Sequence, residues 1–236
     1  MKEKIYLLPG LMCDKRLWER LIPFVENQYE LIHVDIPLTS NFDEIINSID
    51  TLFEDEKVNL LGFSLGAYIA SYYAIKYPHR VKKLFLVAGT PSAMTQEEII
   101  KRNHMLELMD TLGFNAISHK KVVSLLEEIN QNDKKLIQLI QDMYVDLGET
   151  VYKAQIQTVN NRISLEQQLL NLKELPIRFF YSTEDRLLNY DSLMKFQGKH
   201  THITTVSREG TSHMIPLEFP ELLKDEIKKW MEHVKD

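Results

Sequence analysis

Leu60-Leu61-Gly62-Phe63-Ser64-Leu65-Gly66-Ala67 is the stretch on which the reading of this chain turns. The short apolar run Val58 to Leu61 leads into it and predicts a strand. Ala67 to Lys76 leaves it with helical spacing. A G-x-S-x-G pattern between strand and helix is the setting of a nucleophile elbow, where a tight turn lifts the serine above the sheet edge. Gly62 and Gly66 lack side chains that would collide where strand and helix converge. Ser64 is therefore the candidate nucleophile. The competing reading, a helix-capping serine in an ordinary glycine turn, is outweighed by the flanking pattern.

Working outward, further runs rich in apolar or β-branched residues predict strands at Ile5 to Leu8, Tyr29 to Val34, Lys83 to Ala88, Ile177 to Tyr181 and Thr201 to Val206. Helical spacing falls between them, at Arg16 to Glu26, Phe42 to Asp55, Leu187 to Phe196 and Leu217 to Val234. Strand alternating with helix implies an α/β fold with a mainly parallel central sheet. From about Pro91 to Leu172 the alternation breaks and only helix-like segments appear, with Thr95, Ser118 and Ser164 as expected N-caps. The expected division is a core of residues 1–90 and 173–236 with a helical insertion at 91–172.

A serine hydroxyl is a poor nucleophile at neutral pH, so a histidine must accept its proton and later return it to the leaving group. Of the eight histidines, His213 follows a predicted strand through Arg208-Glu209-Gly210-Thr211-Ser212 and precedes the last amphipathic helix, a place from which it can reach the catalytic edge. The base needs a carboxylate to fix its tautomer, falling between serine and histidine in chain order. Asp185 satisfies that order, in a loop after Arg178 to Tyr181, with Glu184 as the neighbouring competitor.

Bulk composition narrows the classes. At 236 residues, 44% hydrophobic and 26% charged, the chain suits one globular domain or a core with an insert. A net charge of -6 and a pI of 5.8 disfavour nucleic-acid partners, which need clustered Lys and Arg. The single Cys13 excludes an internal disulfide or a Cys-based zinc cluster and points to a reducing compartment, the cytoplasm. The apolar run Ile5 to Leu8 meets Pro9-Gly10 too early for a signal or membrane segment, so neither export nor anchoring is expected.

With these residues in view, the chain resembles the α/β-hydrolase superfamily, in particular its lidded esterases, lactonases and carbon–carbon bond hydrolases with a Ser-Asp-His order. Besides the elbow, Tyr77-Pro78-His79-Arg80-Val81 and Ser212-His213-Met214-Ile215-Pro216-Leu217-Glu218-Phe219-Pro220 carry the likeness. Leu7-Leu8-Pro9-Gly10-Leu11-Met12 looks like the family's oxyanion loop, which implies the backbone N–H of Leu11 as one donor. The N–H of Leu65, directly after the nucleophile, would be the second. Pro9 stands where the family often has His, and Ser212 and Ser182 where Gly is usual. The resemblance also implies that the helical insertion is a lid over the sheet edge. Met105, Leu108, Met109 and Leu112 fall on it at helical spacing, as a pocket wall or as ordinary lid-to-core packing.

The expected chemistry is hydrolysis of a small ester, thioester or lactone through an acyl-enzyme on Ser64, with no metal or organic cofactor and a small-molecule acyl substrate as partner. The same groups also serve C–C bond hydrolysis, acyl transfer and perhydrolysis. A ligand receptor on the same fold is the reading of another class.

Overall fold

The computed structural model describes residues 2–115, 117–198 and 200–232. Six strands, β1 (Glu3–Leu8), β2 (Tyr29–His33), β3 (Val58–Phe63), β4 (Val81–Val87), β5 (Ile177–Ser182) and β6 (Ile203–Arg208), form one sheet. All pairs are parallel and the order is β2-β1-β3-β4-β5-β6. Chain order thus reverses between β1 and β3, and ligands of open α/β sheets gather at such switch points, beyond the carboxyl ends of the strands.

The four central strands, β1, β3, β4 and β5, are buried on both faces because their alternate residues serve two cores. Tyr6, Leu8, Leu60, Leu84 and Leu86 enter one cluster, whereas Ile5, Leu7, Leu61, Phe85 and Val87 enter the other. Helices α1 (Ile22–Val25), α2 (Phe42–Asp50) and α3 (Leu65–Lys76) precede or follow the first strands. Helices α4 (Gln96–Leu112), α5 (His119–Val123), α6 (Lys134–Asn160) and α7 (Glu166–Leu170) all lie between β4 and β5. Helices α8 (Tyr190–Met194), α9 (Ile215–Glu218) and α10 (Pro220–Glu232) complete the chain. None is long and apolar enough to cross a membrane among the described residues.

Local chemistry accounts for the element boundaries. Thr95 heads α4 with a capping box in which it and Glu98 exchange hydrogen bonds, and the Ser118 hydroxyl caps α5. Ser164 does not cap α7: its hydroxyl donates to the Glu166 carboxylate, and the N-cap is Leu165. The helix expected over Arg16 to Glu26 is a 3-10 turn, Lys15–Trp18, followed by the short α1, with Pro23 in its first turn. The helix expected from Leu217 is divided before Pro220, which cannot donate to the preceding turn, and its end at Val234 lies outside the described residues. Gly148, at φ +74°, interrupts α6.

The two stems of segment 91–172 are tied together. The Leu165 N–H donates to Pro91 O at 2.9 Å, and the Arg162 guanidinium donates to Thr90 O and Ser92 O. Burial lowers Arg162 to about 10, and it stacks over Tyr68, 4.4 Å from the ring centre.

Candidate active site

Strand register brings the chemistry-bearing loops to one edge. Leu8 pairs with Gly62, Phe63 with Val87 and Ser182 with Arg208, so the residues that follow all emerge at the carboxyl ends of the strands. Three non-glycine residues among those described have positive φ: Met12 (+54°), Ser64 (+53°) and Ala88 (+46°). All three lie just past β1, β3 and β4, so the backbone strain gathers where such strain is often functional.

Ser64 is held in its turn by close packing on both sides. A Cβ on Gly62 would come within 2.2 Å of Gly66 O, and one on Gly66 within 2.2 Å of Leu8 O. Only glycine permits α3 to start so near β1 and β3. The Ser64 side chain makes no helix-cap bond. Its Oγ lies 3.0 Å from His213 Nε2, and His213 Nδ1 lies 2.7 Å from Asp185 Oδ2. A carboxylate can only accept, so Nδ1 carries the proton and Nε2 is free to take one from the serine.

Asp185 is 1% exposed and His213 5% exposed, whereas Glu184 is turned to solvent. The second Asp185 oxygen accepts the Leu187 N–H at 2.9 Å, and the Tyr190 hydroxyl donates to Ser182 O and Asp185 O. Tyr190 is raised to about 12, by burial first and then by the Asp185 charge, so it stays a donor. Phe63 packs its ring against His213 at 5.2 Å.

The loop carrying His213 rests on segment 91–172. The His213 N–H donates to Leu125 O at 2.9 Å, the Thr211 N–H reaches the Glu127 carboxylate at 3.2 Å, and Arg208 binds the same carboxylate at 2.7 Å. Burial works against the charge on Glu127, but Arg208 and the backbone donors outweigh it and hold the carboxyl below its usual range. Glu218 accepts from the Glu127 N–H, Asn130 Nδ2 and the Ser212 hydroxyl, and burial pushes its carboxyl up. The two serines that depart from the family pattern are part of this lattice, since the Ser182 hydroxyl also donates to Ser212 O at 2.6 Å.

Opposite the relay, the Gly10–Cys13 turn is closed by Cys13 N–H to Gly10 O at 3.2 Å. A Cβ on Gly10 would lie 3.2 Å from Ser64 Cβ, so this turn sits against the serine. No hydrogen bond engages the Leu11 N–H among the described residues, and Leu65, as the first residue of α3, has no intrahelical acceptor for its N–H. The neighbouring Cys13 thiol is pushed up to about 12 by burial, so it supplies no rival thiolate at neutral pH.

Leu11 and Met12 pack against an apolar wall from segment 91–172 that includes Leu106, Met109, Phe114, Tyr144, Tyr152 and Ile156. Of the Met and Leu stripe on α4, only Met109 joins this wall. Met105, Leu108 and Leu112 are more than two-fifths exposed, so neither pocket lining nor lid-to-core packing describes them. A surface cleft of about 820 Å³ beside Lys4, Glu30 and Lys82 lies at the opposite, amino-terminal ends of the strands and contains none of the relay groups.

The residues that hold the loops, Leu125, Glu127 and Glu218, escaped the sequence reading. Glu218 lies within a stretch already singled out around His213, which was the available signal. Glu127 is followed directly by Glu128 in a charged stretch and carries no such signal.

Comparison with known proteins agrees with this fold. Residues 5–220 match the α/β hydrolase fold family, and the chain belongs to that family. Among curated relatives it is 31% identical over 103 residues to the pimeloyl-[acyl-carrier protein] methyl ester esterase of Aeromonas hydrophila, a match covering 40% of this chain and 41% of that protein. It is 24% identical to the monoacylglycerol lipase ABHD6 of Bos taurus, over 93% of this chain and 72% of that one. Among solved structures, a thermophilic esterase from Thermogutta terrifontis superposes with a TM-score of 0.84 at 18% identity, covering 98% of this chain and 90% of its own. The enol-lactonase from Burkholderia xenovorans gives 0.82 at 14%, covering 99% and 92%.

Proposed function

We propose that this chain is a serine hydrolase of small carboxylic esters, with thioesters and lactones within reach of the same chemistry. The observation that carries the reading is the continuous relay Ser64 Oγ, His213, Asp185 at the carboxyl edge of the sheet. Ser64 attacks the substrate carbonyl while His213 Nε2 takes its proton, and Asp185 stabilises the imidazolium. The N–H groups of Leu11 and Leu65 receive the negative charge of the tetrahedral intermediate. His213 then protonates the departing alcohol, and water, activated by the same imidazole, releases the acid.

Segment 91–172 acts as the cap of this enzyme, and its wall of Phe114, Tyr144, Tyr152 and Ile156 receives the acyl chain. An apolar wall of this kind favours acyl groups longer than acetyl. The names of relatives that act on esters support the same class of reaction.

Turnover of p-nitrophenyl esters of graded acyl length tests the proposal. The expected result is hydrolysis that improves beyond acetate and falls at least about 10⁴-fold in Ser64→Ala, as expected for removal of a triad nucleophile. Folded protein that turns over no ester, or a Ser64→Ala variant with undiminished activity, contradicts it.

A further inference from the structure

The Gly10–Cys13 turn is held in an unfavourable conformation by a residue far away in the chain. Met12, its third residue, has φ +54°, a region that turns of this kind normally give to glycine or asparagine. The turn could relax by rotating the Leu11–Met12 peptide so that Met12 returns to negative φ, the change that separates the two commonest turn types. Two features of α6 oppose this. The Met12 N–H donates to Gln155 Oε1 at 2.7 Å, and the Met12 side chain is fully buried against Tyr152 and Ile156. Rotation would swing the N–H away from Gln155, itself only 5% exposed, and leave a buried acceptor without its donor.

We infer that Gln155 is a positioning residue for the oxyanion site: by holding the Met12 N–H it fixes the turn that presents the Leu11 N–H to the intermediate. Leu11 lies between two fixed points, Gly10 packed against Ser64 and the peptide tethered to Gln155. The tether also keeps the Met12 N–H turned to α6, so Leu11 is the donor left free in the turn. The cap thereby contributes to the chemistry without touching the reacting atoms. This inference rests on the ester-hydrolase reading of Ser64.

The test compares wild type with Gln155→Leu, which removes the acceptor, and Gln155→Glu, which retains one. On a p-nitrophenyl ester, Gln155→Leu is expected to lose about 10- to 100-fold in kcat with KM changed less than about twofold, a smaller loss than deletion of an oxyanion donor outright. Affinity for a trifluoromethyl ketone, which mimics the tetrahedral intermediate, falls by the same factor, and Gln155→Glu recovers most of both. A kcat loss without a matching loss of ketone affinity, a Glu variant no better than Leu, or unchanged kcat overturns the inference.

Amide hydrogen exchange of Met12 in ¹⁵N-methionine-labelled protein supplies a readout independent of turnover. Slow exchange in wild type and faster exchange in Gln155→Leu is expected, and equal exchange in both refutes the tether. A wild type with a protected Met12 amide but no ester turnover removes the hydrolase reading and, with it, the positioning role. Ester turnover with an unprotected Met12 amide removes only the inference about Gln155.

Discussion

The proposed nucleophile and its partners are held in place in different ways. Ser64 is placed by its own neighbourhood: a strand, two glycines and a helix within one short stretch set its positive φ and its exposure above the sheet. His213 and the Gly10–Cys13 turn depend on distant segments. The base loop hangs on Leu125, Glu127 and Glu218, and the turn at Met12 on Gln155. The elbow is a local steric solution, whereas the proposed base and oxyanion donor are aligned by hydrogen bonds that cross between the sheet edge and segment 91–172. Segment 91–172 is thus wired into the scaffold of the site.

Breaking the local solution should have the largest effect. Gly66→Ala places a Cβ against the Leu8 and Pro9 carbonyls, which are backbone and cannot turn aside. The expected result in denaturant unfolding is a loss of about 3 kcal/mol or more, the upper range for overpacking, together with loss of activity. A stable, active variant would mean that the elbow is not sterically fixed.

Breaking the long-range solution should cost less stability while still misplacing the base. Glu127→Ala removes the Arg208 ion pair and the acceptor for Thr211. Bonds to a charged group of this kind are worth about 1.5–3 kcal/mol together with the site geometry they hold, and kcat/KM is expected to fall about 10-fold. Because the Glu127 carboxyl is held below its usual range, its stabilisation is present above that range and is lost as pH falls through the lowered value. The stability gap between wild type and variant should therefore narrow on acidification, and a gap that widens would contradict the assignment.

The smallest effect is expected at Glu218, and it has the opposite sign. Burial raises this carboxyl, so its contribution is complete below the ordinary glutamate range and is lost as pH rises through the raised value. Thermal melts across about pH 4 to 8 should show Glu218→Gln gaining on wild type as pH rises through that span, since the variant buries no charge there. A difference independent of pH would mean that Glu218 does not titrate in its buried site.

The same contrast explains how much was legible in the sequence. All six strands and the elbow could be read: the central strands, buried on both faces, are near-continuous apolar runs, the edge strands β2 and β6 are rich in apolar or β-branched residues, and the elbow needs glycines at fixed spacing. Asp185 and His213 followed from chain order and from the loops that end two strands. The split of the region after Asp14 into a 3-10 turn and a four-residue helix was missed because its periodicity resembles one helix until Pro23 is taken as a start. Gln155 and Glu127 gave no local signal: their partners lie 143 and 84 positions away, and a glutamine or glutamate among other polar residues reads as solvent-facing.

The most direct test of the central claim is reaction with a fluorophosphonate followed by peptide mass spectrometry. The relay predicts a single phosphonylated peptide modified at Ser64. Folded protein that stays unlabelled, or carries the label at another residue, would contradict the assignment of Ser64 as the nucleophile of a hydrolase.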